Sequence, residues 1–279
     1  LSAVRGLTAE EAARAVEWAA AEGWNPGLRD LDAFLAQDPG LFLGAFGTDG
    51  ELLAVISATR YAAAFGFIGF YIARPEARGQ GHGMAAWRGA MARLEGRLVG
   101  LDGVVAQQAN YRKSGFALAW NNIRFGGVPA PVPACPPGIT HAADVPFAGI
   151  EALDRRVFPA PRPDFLRAWI AAPGHVALAA ARDGLVSGFG VIRPCRSGHK
   201  IGPLVAGSTG EAEALLAALL ARVPPGEVFL DVPEPHRAGV ALAEALGLRP
   251  VFETARMYTG PAPTVAMELL FGVASFELG

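Results

Sequence analysis

Cysteine is scarce in this chain: among 279 residues only Cys135 and Cys195 occur. That count excludes a disulfide framework and is the usage expected of a reduced compartment. Histidine is equally sparse, at positions 82, 141, 175, 199 and 236, with no H-x-x-x-H spacing and no Cys/His cluster. No metal site is therefore expected. Charged residues make up 18%, the net charge is −2, and no block of lysine and arginine stands out, which disfavours a nucleic-acid partner. Glycine, proline or charge interrupts every apolar run before it reaches the roughly 18 residues a membrane helix needs. No n-region/h-region pattern opens the chain, so a cytoplasmic location with no membrane partner is expected. The G-x-S-x-G elbow of nucleophilic hydrolases is also missing.

What is present is core-forming material. Hydrophobic residues account for 52%, and the length suits two domains of moderate size. The segment 126–138 carries five prolines among small residues; it fits neither a central strand nor a helix interior and reads as an extended linker. It divides the chain nearly in half, into 1–127 and 138–279 around a linker at 128–137. In the first half, Thr8-Ala-Glu-Glu11 is a capping box opening an alanine-rich helix that ends near Gly23. A turn at 25–27 and a short helix at 28–37 follow. Strands are expected at 41–46 and 52–61 around Thr48-Asp-Gly50, with a third at 65–72. Next come a helix to about residue 95, a strand at 98–105, a helix at 108–114 and a strand at 117–125. The second half repeats the programme: helices at 143–157 and 164–172, strands at 176–182 and 185–193 around Asp183-Gly184, and a strand at 200–205. It continues with a helix at 209–222, a strand at 228–232, a helix at 236–246 and a strand at 251–258. One more strand is expected at 269–278. Each copy, about 140 residues long, is too large for a solenoid unit, so the halves read as tandem domains.

The densest chemical signal is Tyr71-Ile-Ala-Arg-Pro-Glu-Ala-Arg-Gly-Gln-Gly-His-Gly83. A β-prone run meets alternate glycines (Gly79, Gly81, Gly83) and opens a helix. Glycines there let the backbone curl and aim N–H groups inward at the positive end of a helix dipole, which makes an anion site suited to phosphate. Arg78 adds a guanidinium at its edge. A P-loop would need G-K-[ST], and the dinucleotide fingerprint would need G-x-G-x-x-G after the first strand; neither is met. R-x-x-G-x-G is met by Arg78-Gly-Gln-Gly81-His-Gly83.

With Pro75 before it, this turn resembles the pyrophosphate loop of the GCN5-related N-acetyltransferases, the GNAT family. The order of elements matches that fold over the whole first half, and the chain is similar to bacterial tandem members with one degenerate copy. The resemblance implies an α/β (α+β) fold of two GNAT-like domains, each a mixed, mostly antiparallel sheet flanked by helices. It implies acetyl-CoA as co-substrate, held by Arg78, Gly79, Gln80, Gly81, His82 and Gly83 and by backbone groups of Tyr71, Ile72 and Ala73. Asn110-Tyr111-Arg-Lys-Ser-Gly115-Phe116 is similar to the family's Tyr-x-x-x-Gly-Phe element, which implies Tyr111 as proton donor to the departing thiolate. Many members carry an asparagine seven residues before that tyrosine; here Val104 stands there, and Asn110 is the neighbouring candidate for the contact. The implied reaction is direct acetyl transfer to an amine of a small molecule or peptide, an acyltransferase activity of the EC 2.3.1 type. A CoA-binding protein without turnover and a transferase of longer acyl groups remain as alternatives. No general base is assigned: strand 65–72 has no carboxylate, and Asp102 reads as a solvated strand-end residue.

Acceptor contacts are expected from the loop after the first helix, at Trp24 and Asn25, and from the second half at Arg193 and Asp231. Arg256 and Tyr258 are further polar groups at expected strand ends. In the second half the equivalent turn is Ala206-Gly-Ser-Thr-Gly-Glu-Ala-Glu213. It has lost the arginine and the alternate glycines and gained acidic residues near a helix start, where they repel phosphate. Only the first half is expected to hold the cofactor.

Overall fold

The computed structural model describes residues 3–131 and 138–279. The rest of the proline-rich segment, 132–137 with Cys135, lies outside the described residues, so the linker reading applies there only as an expectation.

The first half starts with a short strand the sequence did not suggest, β1 (Ala3–Gly6), then α1 (Ala9–Ala21) and α2 (Asp30–Gln37). The capping box forms: Thr8 accepts from the Glu11 N–H while the Glu11 carboxylate accepts from the Thr8 N–H. Strands β2 (Phe42–Phe46), β3 (Leu52–Tyr61) and β4 (Phe65–Ala73) form a meander, followed by α3 (His82–Arg93) and β5 (Leu98–Val104). A one-and-a-half-turn helix, α4 (Gln108–Lys113), leads to β6 (Ala117–Gly127).

The second half opens with β7 (Ile139–His141), α5 (Phe147–Val157) and α6 (Pro163–Ala171). Helix α5 was expected from Ala143. Instead a single 3₁₀ turn at Ala142–Asp144 precedes it, because Pro146 holds Val145 extended and the helix begins only beyond it. Then follow β8 (Val176–Arg182), β9 (Leu185–Pro194), β10 (His199–Ala206), α7 (Thr209–Leu220), β11 (Val228–Pro233), α8 (Arg237–Ala245) and β12 (Arg249–Tyr258).

Both halves build the same unit, with antiparallel strands and one parallel pair joined through a helix. The parallel pairs are β4–β5 around α3 and β10–β11 around α7. The halves also share one sheet, in the order β1-β2-β3-β4-β5-β12-β6-β11-β10-β9-β8-β7. Their last strands are exchanged: β12 lies between β5 and β6, and β6 lies between β12 and β11. The pattern of apolar positions cannot distinguish a strand's own sheet from its neighbour's, so this exchange was not legible locally.

The expected closing strand is mostly not a strand. Only β13 (Leu270–Gly272) pairs, antiparallel to β10 at Leu204 and Val205. Residues 269–279 are nonetheless all buried. After β13 the chain leaves the second half and runs into the joint between halves, where its polar groups are met by side chains instead of a ladder. Tyr61 donates to the Leu278 carbonyl at 2.9 Å and Arg162 to the Gly279 carbonyl at 2.7 Å.

The largest core cluster spans both halves. Phe34 of α2 stacks on Trp169 of α6 with centroids 6.1 Å apart. Three buried ion pairs also cross the joint: Asp30–Arg193 at 2.8 Å, Arg124–Asp231 at 2.6 Å and Asp102–Arg256 at 2.6 Å. Arg193, Asp231, Arg256 and Tyr258 are thus buried groups within or near the joint. The Asp102 side chain is likewise buried, held by two Arg256 nitrogens and the Asn122 amide, which corrects its reading as solvated.

Candidate active site

Strand β4 and strand β5 are hydrogen-bonded only from Phe65↔Leu98 to Ile68↔Leu101. Beyond that point they part. The cause lies in β4, where Phe70 takes a positive φ of 47° and the register with β3 slips between Val55 and Ser57. Such a bulge re-aims a strand, and the left-handed conformation of a phenylalanine costs about 1–3 kcal/mol that surrounding packing must supply. Phe34 and Phe42 pack edge-on against the Phe70 ring at 5.9 and 5.1 Å and hold it. The result is a V-shaped opening whose β4 edge, residues 71–73, is paired with β3 on one side only.

A cavity of about 610 Å³ fills the V. Its wall includes Tyr71, Ile72, Ala73, Arg78, Gly79, Gly81 and Gly83. Gly79 and Gly81 adopt φ of +76° and +89°, the conformation for which the alternate glycines were read as necessary. A Cβ on Gly83 would stand 3.1 Å from the Tyr71 hydroxyl, so glycine admits the tyrosine there. Helix α3 has no side-chain cap and no acidic residue in its first turn. The positive end of its dipole therefore lies at the mouth of the V with no side-chain cap on it among the described residues. Arg78 sits at that mouth, donating to the Ala73 carbonyl at 3.1 Å and pairing with Glu22. Gln80 bonds the Glu76 carbonyl, and Gln80, His82 and Asn110 lie outside the cavity wall. Asn110 instead donates to Gln107, which does line the wall, as does Val104.

Tyr111 of α4 lies in the wall on the β5 side. Its ring covers Gly103, where a Cβ would come within 2.2 Å of it, and packs on Trp87 at 5.6 Å. Burial pushes the phenol up to about 12 and also raises Tyr71. Tyr111 is therefore fully protonated at neutral pH.

The deep end of the cavity is built by elements from both halves. Trp24 lines it, whereas Asn25 turns away and clips the second half by accepting from the Ser197 N–H and donating to its carbonyl. Arg193 is outside the wall, closed on Asp30 and lying over Trp169. Asp231 is outside it too, but holds Arg124, which is a wall residue. Asp231 keeps Arg124 charged, and Arg124 in turn holds the Asp231 carboxyl below its ordinary range. Phe252, Thr254, Phe276 and Glu277 are wall residues as well. Sequence reading missed these four, because they come from the exchanged strand and the buried tail, and no local motif marks them.

In the second half, strands β10 and β11 also part after three paired residues, His199–Ile201 with Val228–Leu230. There β13 occupies the gap, pairing with β10, and the Val273 N–H donates to the Asp231 carbonyl of β11 at 2.9 Å. The start of α7 is satisfied by its own side chains. Ser208 accepts from the Glu211 N–H, and the Glu211 carboxylate accepts from the Gly207 N–H at 2.7 Å and from the Ser187 hydroxyl. Among the described residues no group of three or more His, Cys, Asp or Glu could hold a metal ion, and no helix is long and apolar enough to cross a membrane.

Family models match both halves. Residues 8–116 match the acetyltransferase (GNAT) family and residues 150–272 an acetyltransferase (GNAT) domain. The chain is 31% identical over 266 residues to the holothin acyltransferase of a Pseudoalteromonas species, covering 94% of this chain and 90% of that protein. Among solved structures it resembles a putative acetyltransferase from Pyrococcus horikoshii, with a TM-score of 0.85 at 20% identity over 100% of this chain and 96% of the other. It also resembles a tandem GNAT protein from the clavulanic acid biosynthesis pathway, with a TM-score of 0.65 at 16% identity over 94% and 100%. The open V, the glycine turn and these matches agree: the chain belongs to the GCN5-related N-acetyltransferase family, with two GNAT domains in tandem, and is an acyltransferase.

Proposed function

We propose that the first half binds acetyl-CoA in the V between β4 and β5 and transfers its acetyl group directly to the amine of a small molecule. The observation that carries this reading is the start of α3: uncapped, free of acidic residues in its first turn, and bordered by Arg78 and two glycines of positive φ. These groups suit a pyrophosphate. The open β4 edge suits an extended pantetheine arm, whose amide groups need backbone partners. Alternate N–H groups of 71–73 that point away from β3 can polarise the thioester carbonyl.

Transfer then forms a C–N bond at the carbonyl carbon and breaks the C–S bond. The electron pair left on sulfur takes a proton, and the Tyr111 phenol in the cavity wall is the donor. An acid raised to about 12 is a poor match for an ordinary thiol. Here the desolvation that raises the phenol also raises the thiolate, so the hydrogen bond holds the sulfur as charge develops and the proton passes late. The phenol regains a proton from the nitrogen that has become an amide.

No cysteine is used: Cys195 is buried, is outside the cavity wall and has its thiol raised by burial, and Cys135 lies outside the described residues. The relative named holothin acyltransferase supports a small-molecule acceptor. The test is thiol release from acetyl-CoA with holothin and a panel of small amines, beside direct measurement of CoA affinity. Turnover with at least one amine is expected, and the Gly81→Val variant should lose both CoA binding and turnover. Tight CoA binding without turnover on any amine would replace this reading with that of a binding protein.

A further inference from the structure

Three carboxylates line the cavity: Glu22, Asp102 and Glu277. Glu22 is paired with Arg78 and Asp102 with Arg256. Glu277 is 5% exposed and accepts from the Ser275 hydroxyl, with no hydrogen bond or salt bridge to a cation among the described residues. Arg124, Arg193 and Lys200 are within electrostatic reach, but Arg124 spends its donors on Asp231 and Trp24, Arg193 donates to Asp30 and the Gly202 carbonyl, and Lys200 donates to the Asn25 carbonyl. A second wall group is also unmatched: Thr254, 2% exposed, has a hydroxyl with no partner among the described residues. Buried polar atoms are rarely left so in a native protein unless a ligand or water meets them. Between these two groups the wall is aromatic. Phe252 and Phe276 pack against each other with centroids 6.4 Å apart, both within 6 Å of the Arg124 guanidinium centre, and Trp24 adds a third ring.

The position of Glu277 is fixed by the fold. The tail carries it from the second half to the apex of the V, where the Glu277 carbonyl lies so close to Gly69 that a Cβ there would be 2.1 Å from it. The tail thus supplies Phe276 and Glu277 to the active cavity, while strand β4 carries no carboxylate.

We infer that Glu277 is the acceptor-amine site: its carboxylate receives the ammonium group of an arylalkyl amine, takes one of its protons, and leaves the aryl ring against Phe252, Phe276 and Trp24 with the Thr254 hydroxyl bonding a polar atom on it. The inference rests on the proposed acetyl transfer. The ammonium gives one proton to Glu277, and the freed nitrogen lone pair forms the C–N bond as the C–S bond breaks. The nitrogen's next proton replaces the one Tyr111 gave to sulfur. Glu277 returns its proton to solvent when the products leave.

The test measures equilibrium binding of benzylamine, benzyl alcohol and n-butylamine to the full chain, without acetyl-CoA, in wild type and in Glu277→Gln. Benzylamine is expected to bind at least about tenfold tighter than either analogue, the size of one charged hydrogen bond or one buried ring. Glu277→Gln should remove its advantage over the alcohol but not its advantage over butylamine, while CoA affinity stays at the wild-type value and shows the fold intact. Equal binding of benzylamine and benzyl alcohol, an advantage that survives Glu277→Gln, or no binding of any of the three overturns the inference. Loss of CoA binding in wild type with the amine pattern intact would overturn the donor reading instead.

Discussion

The two halves carry the same V-shaped opening and fill it differently. Between β4 and β5 the gap holds a cavity, and the helix at its mouth starts without a side-chain cap. Between β10 and β11 the gap holds β13, and the helix at its mouth is capped by Ser208 and Glu211. The Glu211 carboxylate accepts from backbone N–H there much as a phosphate oxygen would. A helix start and a splayed strand pair create unmet hydrogen bonds; one half leaves them for a ligand, and the other satisfies them from its own chain. The released strand then gives the second half a different role, because the tail that leaves β13 delivers Phe276 and Glu277 to the first half's cavity.

The largest effect is expected at the chemistry itself. Tyr111→Phe should lower kcat by about 10²–10⁴, the usual worth of a positioned acid, with CoA affinity unchanged; unchanged kcat at saturating substrates removes Tyr111 from that role. Next is the joint that makes one active site from two halves. Asp231→Ala strands the buried Arg124 and should destabilise the fold by about 3–5 kcal/mol in denaturant titration; a change below about 1 kcal/mol would mean the joint relaxes at little cost.

A smaller effect comes from the same joint through pH. His175 bonds the Trp169 carbonyl at 2.8 Å, and burial, chiefly, lowers its pKa to about 4 from 6.5. The folded imidazole stays neutral while the unfolded one takes a proton, so its stabilisation is complete above pH 6.5 and is lost as pH falls toward 4. That loss is about 2–3 kcal/mol after allowing for its partial exposure, and it should disappear from the pH dependence of Tm in His175→Gln. A smaller effect again tests the two helix starts. Met84 occupies in α3 the position Glu211 occupies in α7, third in the helix, so Met84→Glu should weaken CoA binding by about tenfold to 100-fold. The reverse change, Ser208→Ala with Glu211→Gln, should create no second CoA site, since β13 still fills the gap.

Local signals were read where the physics is local. Thr8 and Glu11 form their capping box, and Asp49-Gly50 and Asp183-Gly184 turn their hairpins with positive φ at Gly50, Asp183 and Gly184. The glycine turn showed in its spacing because only glycine takes those angles cheaply. The deep end of the site was not legible. Phe252 and Thr254 reach it through a strand exchange, and Glu277 through a tail whose apolar run reads as an ordinary strand. Arg193 and Asp231 were expected to contact the acceptor, because a polar residue in a sequence does not show its partner across the fold. Asp30 and Arg124 are those partners, 163 and 107 residues away in sequence.

Calorimetric titration of the intact chain with CoA tests the central claim most directly. The account predicts one CoA per chain, with binding abolished by Gly81→Val and unaffected by Glu211→Gln. Two equivalents per chain, or one that survives Gly81→Val and responds to substitutions at the start of α7, would contradict it.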